Sequence, residues 1–172
     1  YADLLADLAQ SDLLPDRIAH FWLVTEAETF RPGSSFFDRN LEMGFHSLTA
    51  LSQELGSMEL SAPLHISVFT SGAVSLRTEP LPYPEKAMVA GPAGVIPREF
   101  PLISCSTIDL ELPQKPPLFE RLKGVQPLDL TPYILEDLLA DPKSTQVAWR
   151  GNKRYEKAWK PLRLGDSTEA RS

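Results

Sequence analysis

Leu64-His65-Ile66-Ser67-Val68-Phe69-Thr70 and Ile103-Ser104-Cys105-Ser106-Thr107-Ile108-Asp109-Leu110, with the stretch from Glu85 to about Ile96 between them, decide the fold. Each outer run is short, rich in β-branched and apolar residues and bounded by loop residues, which reads as a buried strand. The middle stretch reads as a helix despite Gly91 and Gly94. Strand, helix and strand at these lengths predict a parallel β-α-β unit, with the right-handed crossover that strand twist favours.

Working outward, Ile18-Ala19-His20-Phe21-Trp22-Leu23-Val24 is almost continuously apolar and predicts a further strand buried on both faces. Before it, Asp3 to Gln10 carries Leu4, Leu5 and Leu8 on a short helical face. After the loop at Pro32 and Gly33, Ser34 or Ser35 caps a long helix to about Gly56. Phe37, Leu41, Phe45, Leu48, Leu51 and Leu55 recur there at three- and four-residue steps, and Gly56 suits a left-handed stop. Asp129 to Ala140 predicts another helix, with Leu130, Ile134, Leu135, Leu138 and Leu139 as its stripe. Thr145 to Arg150 and Lys153 to Lys160 flank Gly151-Asn152, a two-residue turn signal, so an antiparallel ribbon closes the fold. The prediction is an α/β fold: a truncated Rossmann-like, mainly parallel sheet flanked by helices, with that C-terminal ribbon. It forms one domain over residues 1–164, and 165–172 are a polar linker or tail.

Composition narrows the function. The chain has 172 residues, 42% hydrophobic and 23% charged, enough for one globular core. A net charge of -6 argues against nucleic acid, whose phosphates are met by lysine and arginine. A single cysteine, Cys105, forbids an internal disulfide and fits a reducing, cytoplasmic setting. No apolar run approaches the roughly 20 residues that span a bilayer, and no signal peptide opens the chain. The sixteen prolines punctuate loops, with Pro80, Pro82 and Pro84 in one and Pro113, Pro116 and Pro117 in another.

The chemistry-bearing residues form no recognisable constellation. Three histidines, one cysteine and scattered carboxylates show no metal-ligand spacing. His20 and His65 sit inside strand patterns and read as packed, hydrogen-bonded core residues, while His46 lies beside the long helix's stripe. Thr70-Ser71-Gly72 lacks the Gly-x-Ser-x-Gly frame of a nucleophile elbow and reads as a strand-end turn. Cys105 reads as a small buried hydrophobe. Gly91-Pro92-Ala93-Gly94 looks like a phosphate loop but follows residues that already read as helix, whereas a dinucleotide fingerprint puts its glycines between strand and helix. Small residues there let the helix approach the sheet or a neighbouring subdomain. Arg150, Lys153, Arg154, Lys157, Lys160 and Arg163 interleave with Trp149, Tyr155 and Trp159, read as a solvated ribbon face with the aromatics turned to the core. No catalytic, cofactor-binding or metal-binding residue is assigned.

Several segments together resemble one family. Lys86-Ala87-Met88-Val89-Ala90-Gly91-Pro92-Ala93-Gly94-Val95-Ile96-Pro97-Arg98-Glu99-Phe100-Pro101, closing in Cys105 and Ile108-Asp109-Leu110, resembles a helix and strand of the structural subdomain of polyketide synthase ketoreductases. His20-Phe21-Trp22-Leu23 resembles its His-hydrophobic-Trp strand, Phe45 to Leu55 the helix after it, and Ile66 to Gly72 the next strand. Val147 to Tyr155, with Pro161-Leu162-Arg163, resembles the ribbon that leads into the catalytic half. The ordered matches run over about residues 17 to 164.

The resemblance implies a non-catalytic scaffold, because in that family NADPH and the reducing serine, tyrosine and lysine or asparagine belong to the other subdomain. No counterpart of those residues is found here. The family's first strand and helix are also missing, which leaves a sheet edge to be covered by another segment or chain. The implied role is to stabilise and position a catalytic neighbour in a multidomain synthase, as half of a split ketoreductase or as a pseudo-ketoreductase. Implied partners are an adjacent ketoreductase catalytic, methyltransferase, dehydratase or enoylreductase domain, and an acyl carrier protein with its phosphopantetheine; NADPH is expected only in a catalytic neighbour. The rival readings are a self-contained NADPH-dependent reductase and a carrier-protein interaction module.

Overall fold

The two apolar runs around residues 64–70 and 103–110 pair in parallel over their whole length, from Leu64 opposite Ile103 to Ser71 opposite Leu110. The computed structural model describes residues 1–25, 36–113, 123 and 126–162. In chain order the elements are α1 (Ala2–Gln10), β1 (Arg17–Leu23), α2 (Phe36–Asn40), α3 (Ser47–Ser57), β2 (Leu64–Ser71), α4 (Ala90–Glu99), β3 (Ile103–Leu110), α5 (Thr131–Leu139), β4 (Gln146–Arg150) and β5 (Lys153–Glu156). The described strands form one sheet in the order β1-β2-β3-β4-β5, parallel except for the antiparallel β4–β5 pair. This is the expected truncated Rossmann-like α/β architecture with its terminal ribbon.

Alternation along the strands sorts the core into two layers. Leu64, Ile66 and Val68 of β2, with Ile103 and Cys105 of β3, face Leu48, Leu51 and Leu55 of α3 and Ala93 and Ile96 of α4. On the opposite face Phe69, Ile108, Leu110, Val147 and Trp149 are covered by Tyr133, Ile134 and Leu138 of α5. Every residue of β2 is buried. α5 lies on the face of the sheet opposite α3 and α4. The face carrying Phe69 and Trp149 needs a cover, and α5 is the described helix that provides it.

Other expectations are corrected. β1 is an edge strand rather than one buried on both faces: Phe21 stacks on Phe69 yet stays 39% exposed, and Trp22 is 54% exposed. The long helix is interrupted by a π-helical turn, Leu41–His46. That turn rotates the stripe, so Leu48, Leu51 and Leu55 are buried while Phe37, in phase with them on paper, is exposed. The caps proposed at Ser34 and Ser35 lie outside the described residues. Gly56 is no left-handed stop, for the helix runs on to Ser57. A Cβ on Gly56 would stand 2.0 Å from Phe100 Cε1, so close approach is what requires glycine. The helix expected over 85–96 is a 3-10 stretch, Pro84–Val89, followed by α4. On α5, Leu135 and Leu139 point outward, so its stripe is Leu130, Ile134 and Leu138. On α1 only Leu5 is buried.

Candidate functional site

Open α/β sheets take their ligands in the crevice beyond the carboxyl ends of the strands. There the structure opens a cavity of about 640 Å³, lined by Thr25 after β1, Ser71 of β2, Asp109 and Glu111 at the end of β3, Arg150 of β4, and Tyr83 in the loop before the 3-10 stretch. Val74, Pro80, Pro82, Leu112 and Pro113 complete the apolar walls.

Asp109 sits at its centre, 1% exposed. One carboxylate oxygen accepts from Thr70 Oγ1 at 2.7 Å, its register partner on β2, and from the Ala73 N–H at 2.8 Å. The other accepts from Arg150 Nη2 at 3.1 Å. Arg150 also donates from Nε to Glu79 Oε2 at 2.8 Å and from Nη2 to the Val74 carbonyl at 2.8 Å. Burial pulls the Arg150 pKa down, but the bond to Glu79 and the Asp109 charge outweigh it and the net shift is upward. The same bond to Arg150 lowers the Glu79 carboxyl. Glu111 Oε2 accepts from the Gly151 N–H at 2.9 Å, which ties the ribbon's turn to β3.

Beside this network Lys86 is wholly buried. Its ammonium donates to Thr25 Oγ1 at 2.7 Å and to the Ser71 carbonyl and hydroxyl at 3.1 and 3.2 Å, and lies 4.4 Å from the Tyr83 ring centroid. Ser71 Oγ in turn donates to the Thr25 carbonyl at 3.0 Å. Gly72 (φ 74°) lets the chain turn out of β2, where a Cβ would meet Tyr83 and Pro82 at 2.7 and 2.8 Å. The cations at this crevice are thus engaged by the chain's own oxygens. A pyrophosphate site needs backbone N–H groups at a helix start directly after a strand. Here a loop from Gly72 to Tyr83 intervenes, and the 3-10 stretch begins with Pro84, which has no N–H, and then Glu85.

The residues singled out from sequence are scattered by the fold. His20 is 3% exposed, with Nε2 at 3.1 Å from Ser47 Oγ and Nδ1 without a partner among the described residues; burial lowers its pKa to about 4. His65 lies between Ser104 Oγ (2.8 Å) and Ser106 Oγ (3.0 Å), its pKa lowered by burial and then by the Arg17 charge. Both are packed, hydrogen-bonded histidines, as their strand positions suggested. His46 is on the surface against Phe45. Cys105 is buried, and burial raises its thiol to about 12. Ser71 ends β2 ahead of the turn at Gly72. A Cβ on Gly91 would come within 3.8 Å of Phe45, whereas one on Gly94 would meet nothing within 4 Å, so Gly94 is not needed for packing in the described structure. Among the described residues no group of His, Cys, Asp and Glu is placed to hold a metal, and no helix is long and apolar enough to cross a membrane.

The ribbon is half as expected. Trp149 is buried against Tyr133 and donates to Asp137, which also pairs with Arg154. Tyr155, within β5, and Trp159, beyond its end at Glu156, however, face solvent at 38% and 86% exposure, and the strand does not continue to Lys160. Gly151 takes a positive φ of 57°.

No protein-family model matches the chain, and neither does any curated protein. Among solved structures the chain is similar to part of one described as the adenylation, ketoreductase, and pseudo Asub multidomain structure of a keto acid-selecting NRPS module. The similarity has a TM-score of 0.73 at 19% identity and covers 90% of this chain. It spans only 12% of that chain, and at this identity it shows a shared fold.

Proposed function

We propose that this chain is a non-catalytic scaffold subdomain of a modular synthase, of the kind that accompanies polyketide synthase ketoreductases, and that it stabilises and positions a neighbouring domain. The observation that carries this reading is the crevice. Where a reductase of this architecture would hold its dinucleotide, Asp109, Arg150, Glu79 and Lys86 are bound to one another or to their own chain. The ordered family resemblance over about residues 17 to 164 supports the same reading, as does the shared fold with a module that includes ketoreductase and pseudo Asub domains. On this reading NADPH belongs to a catalytic neighbour and phosphopantetheine to the parent's carrier protein. A lone buried thiol accords with a reducing cytoplasm. Calorimetric titration of the purified chain with NADPH tests the reading: no heat of saturable binding is expected. Stoichiometric binding would establish a self-contained reductase instead.

A further inference from the structure

The basic charge of this acidic chain is concentrated at one place. Residues 143–162 hold six basic side chains and one acidic, net +5, in a chain whose total is -6. Arg150 and Arg154 are tied to carboxylates of the fold, whereas Lys143, Lys153, Lys157 and Lys160 stand exposed at the surface. Between and beyond the last two lie the barest large apolar side chains described, Trp159 at 86% and Leu162 at 83% exposure. Because β5 runs antiparallel to β4, this segment leaves the sheet at the end opposite the crevice. The ladder holds its start, through Lys157 N–H to the Gln146 carbonyl at 3.1 Å, and the Lys157 ammonium sits 4.9 Å from the Trp159 ring centroid. The indole is thus partly oriented before anything covers it.

We infer that Lys157–Leu162 is a docking strap, and that its occupant is an apolar surface with an acidic rim on a neighbouring domain of the synthase. This rests on the scaffold reading. A tryptophan buries about 150–250 Å² and dominates an interface when it fills a pocket. Lysines on either side set partner choice and speed of encounter more than they set affinity. An acidic rim is the complement they require.

The test measures association of the full chain with each domain encoded beside it in the parent polypeptide, expressed separately, at low and high salt. Trp159→Asp should weaken binding by about tenfold or more. Lys157→Glu with Lys160→Glu should weaken it at low salt and much less at high salt, where exposed charges are screened. Val95→Asp, at an exposed site on α4, should leave it unchanged. Wild-type binding that neither strap variant alters overturns the strap and leaves the scaffold reading standing. If no neighbouring domain binds the wild type, both fall. Retention of the chain on anionic lipid vesicles, lost in Trp159→Asp, would overturn the assignment in favour of a membrane.

Discussion

Asp109 is a buried carboxylate whose partners come from three segments: Thr70 on β2, the backbone of Ala73 and Arg150 on β4. Removing one member of such a buried pair strands the other's charge, which costs about 3–5 kcal/mol. Asp109→Ala and Arg150→Met should therefore each lower the urea midpoint sharply. The double variant should lose less than the two losses added, and strict additivity would show the pair to be uncoupled. His20 should make the molecule acid-sensitive. Burial lowers its pKa from an ordinary 6.5 to about 4, so the unfolded chain takes up a proton first as pH falls. Its contribution is complete above pH 6.5 and is lost through the window from 6.5 to 4, roughly 3 kcal/mol in all. His65 is shifted the same way. His20→Phe should flatten part of that acid limb, and a limb of unchanged depth would assign the sensitivity elsewhere.

At the scale of elements, α5 separates two leucines that composition treats alike. Leu138 packs on the layer of Phe69 and Trp149, whereas Leu139 is 72% exposed. Leu138→Ala should cost about 2 kcal/mol, the lower end for a core leucine because the site is only partly buried, and Leu139→Ala close to nothing. Equal losses in thermal unfolding would mean that α5 is seated differently. Sequence periodicity could not tell them apart, since both are in step with Ile134 or Leu135. It located β2, β3 and the ribbon's turn well, because continuous apolar runs and Gly151-Asn152 are local signals. The π-helical turn at Leu41–His46 has no such signal. Within it Gly44 packs against Leu23 of β1, where a Cβ would stand 2.7 Å from a Leu23 methyl, a contact between distant segments.

At the scale of the whole molecule, the crevice was the least legible part. Its ion-paired members lie 41 residues apart (Asp109 and Arg150) and 71 apart (Glu79 and Arg150), and they meet only because β2, β3 and β4 end together. One trace was readable: a carboxylate at Asp109 inside the run Ile108-Asp109-Leu110, which burial obliges to find a partner. Nothing in the chain named Arg150 or Glu79 as that partner. The two flanks of the sheet are also unequal. β5 spans four residues, three of them charged, a short border of the sort that discourages strand addition. β1 spans seven residues, carries its one formal charge at Arg17, and turns that guanidinium to the last carbonyls of α5. The sheet is therefore a one-way template. Among the described residues no strand pairs with the outer edge of β1, and a designer extending this fold by grafted strands would build from that side.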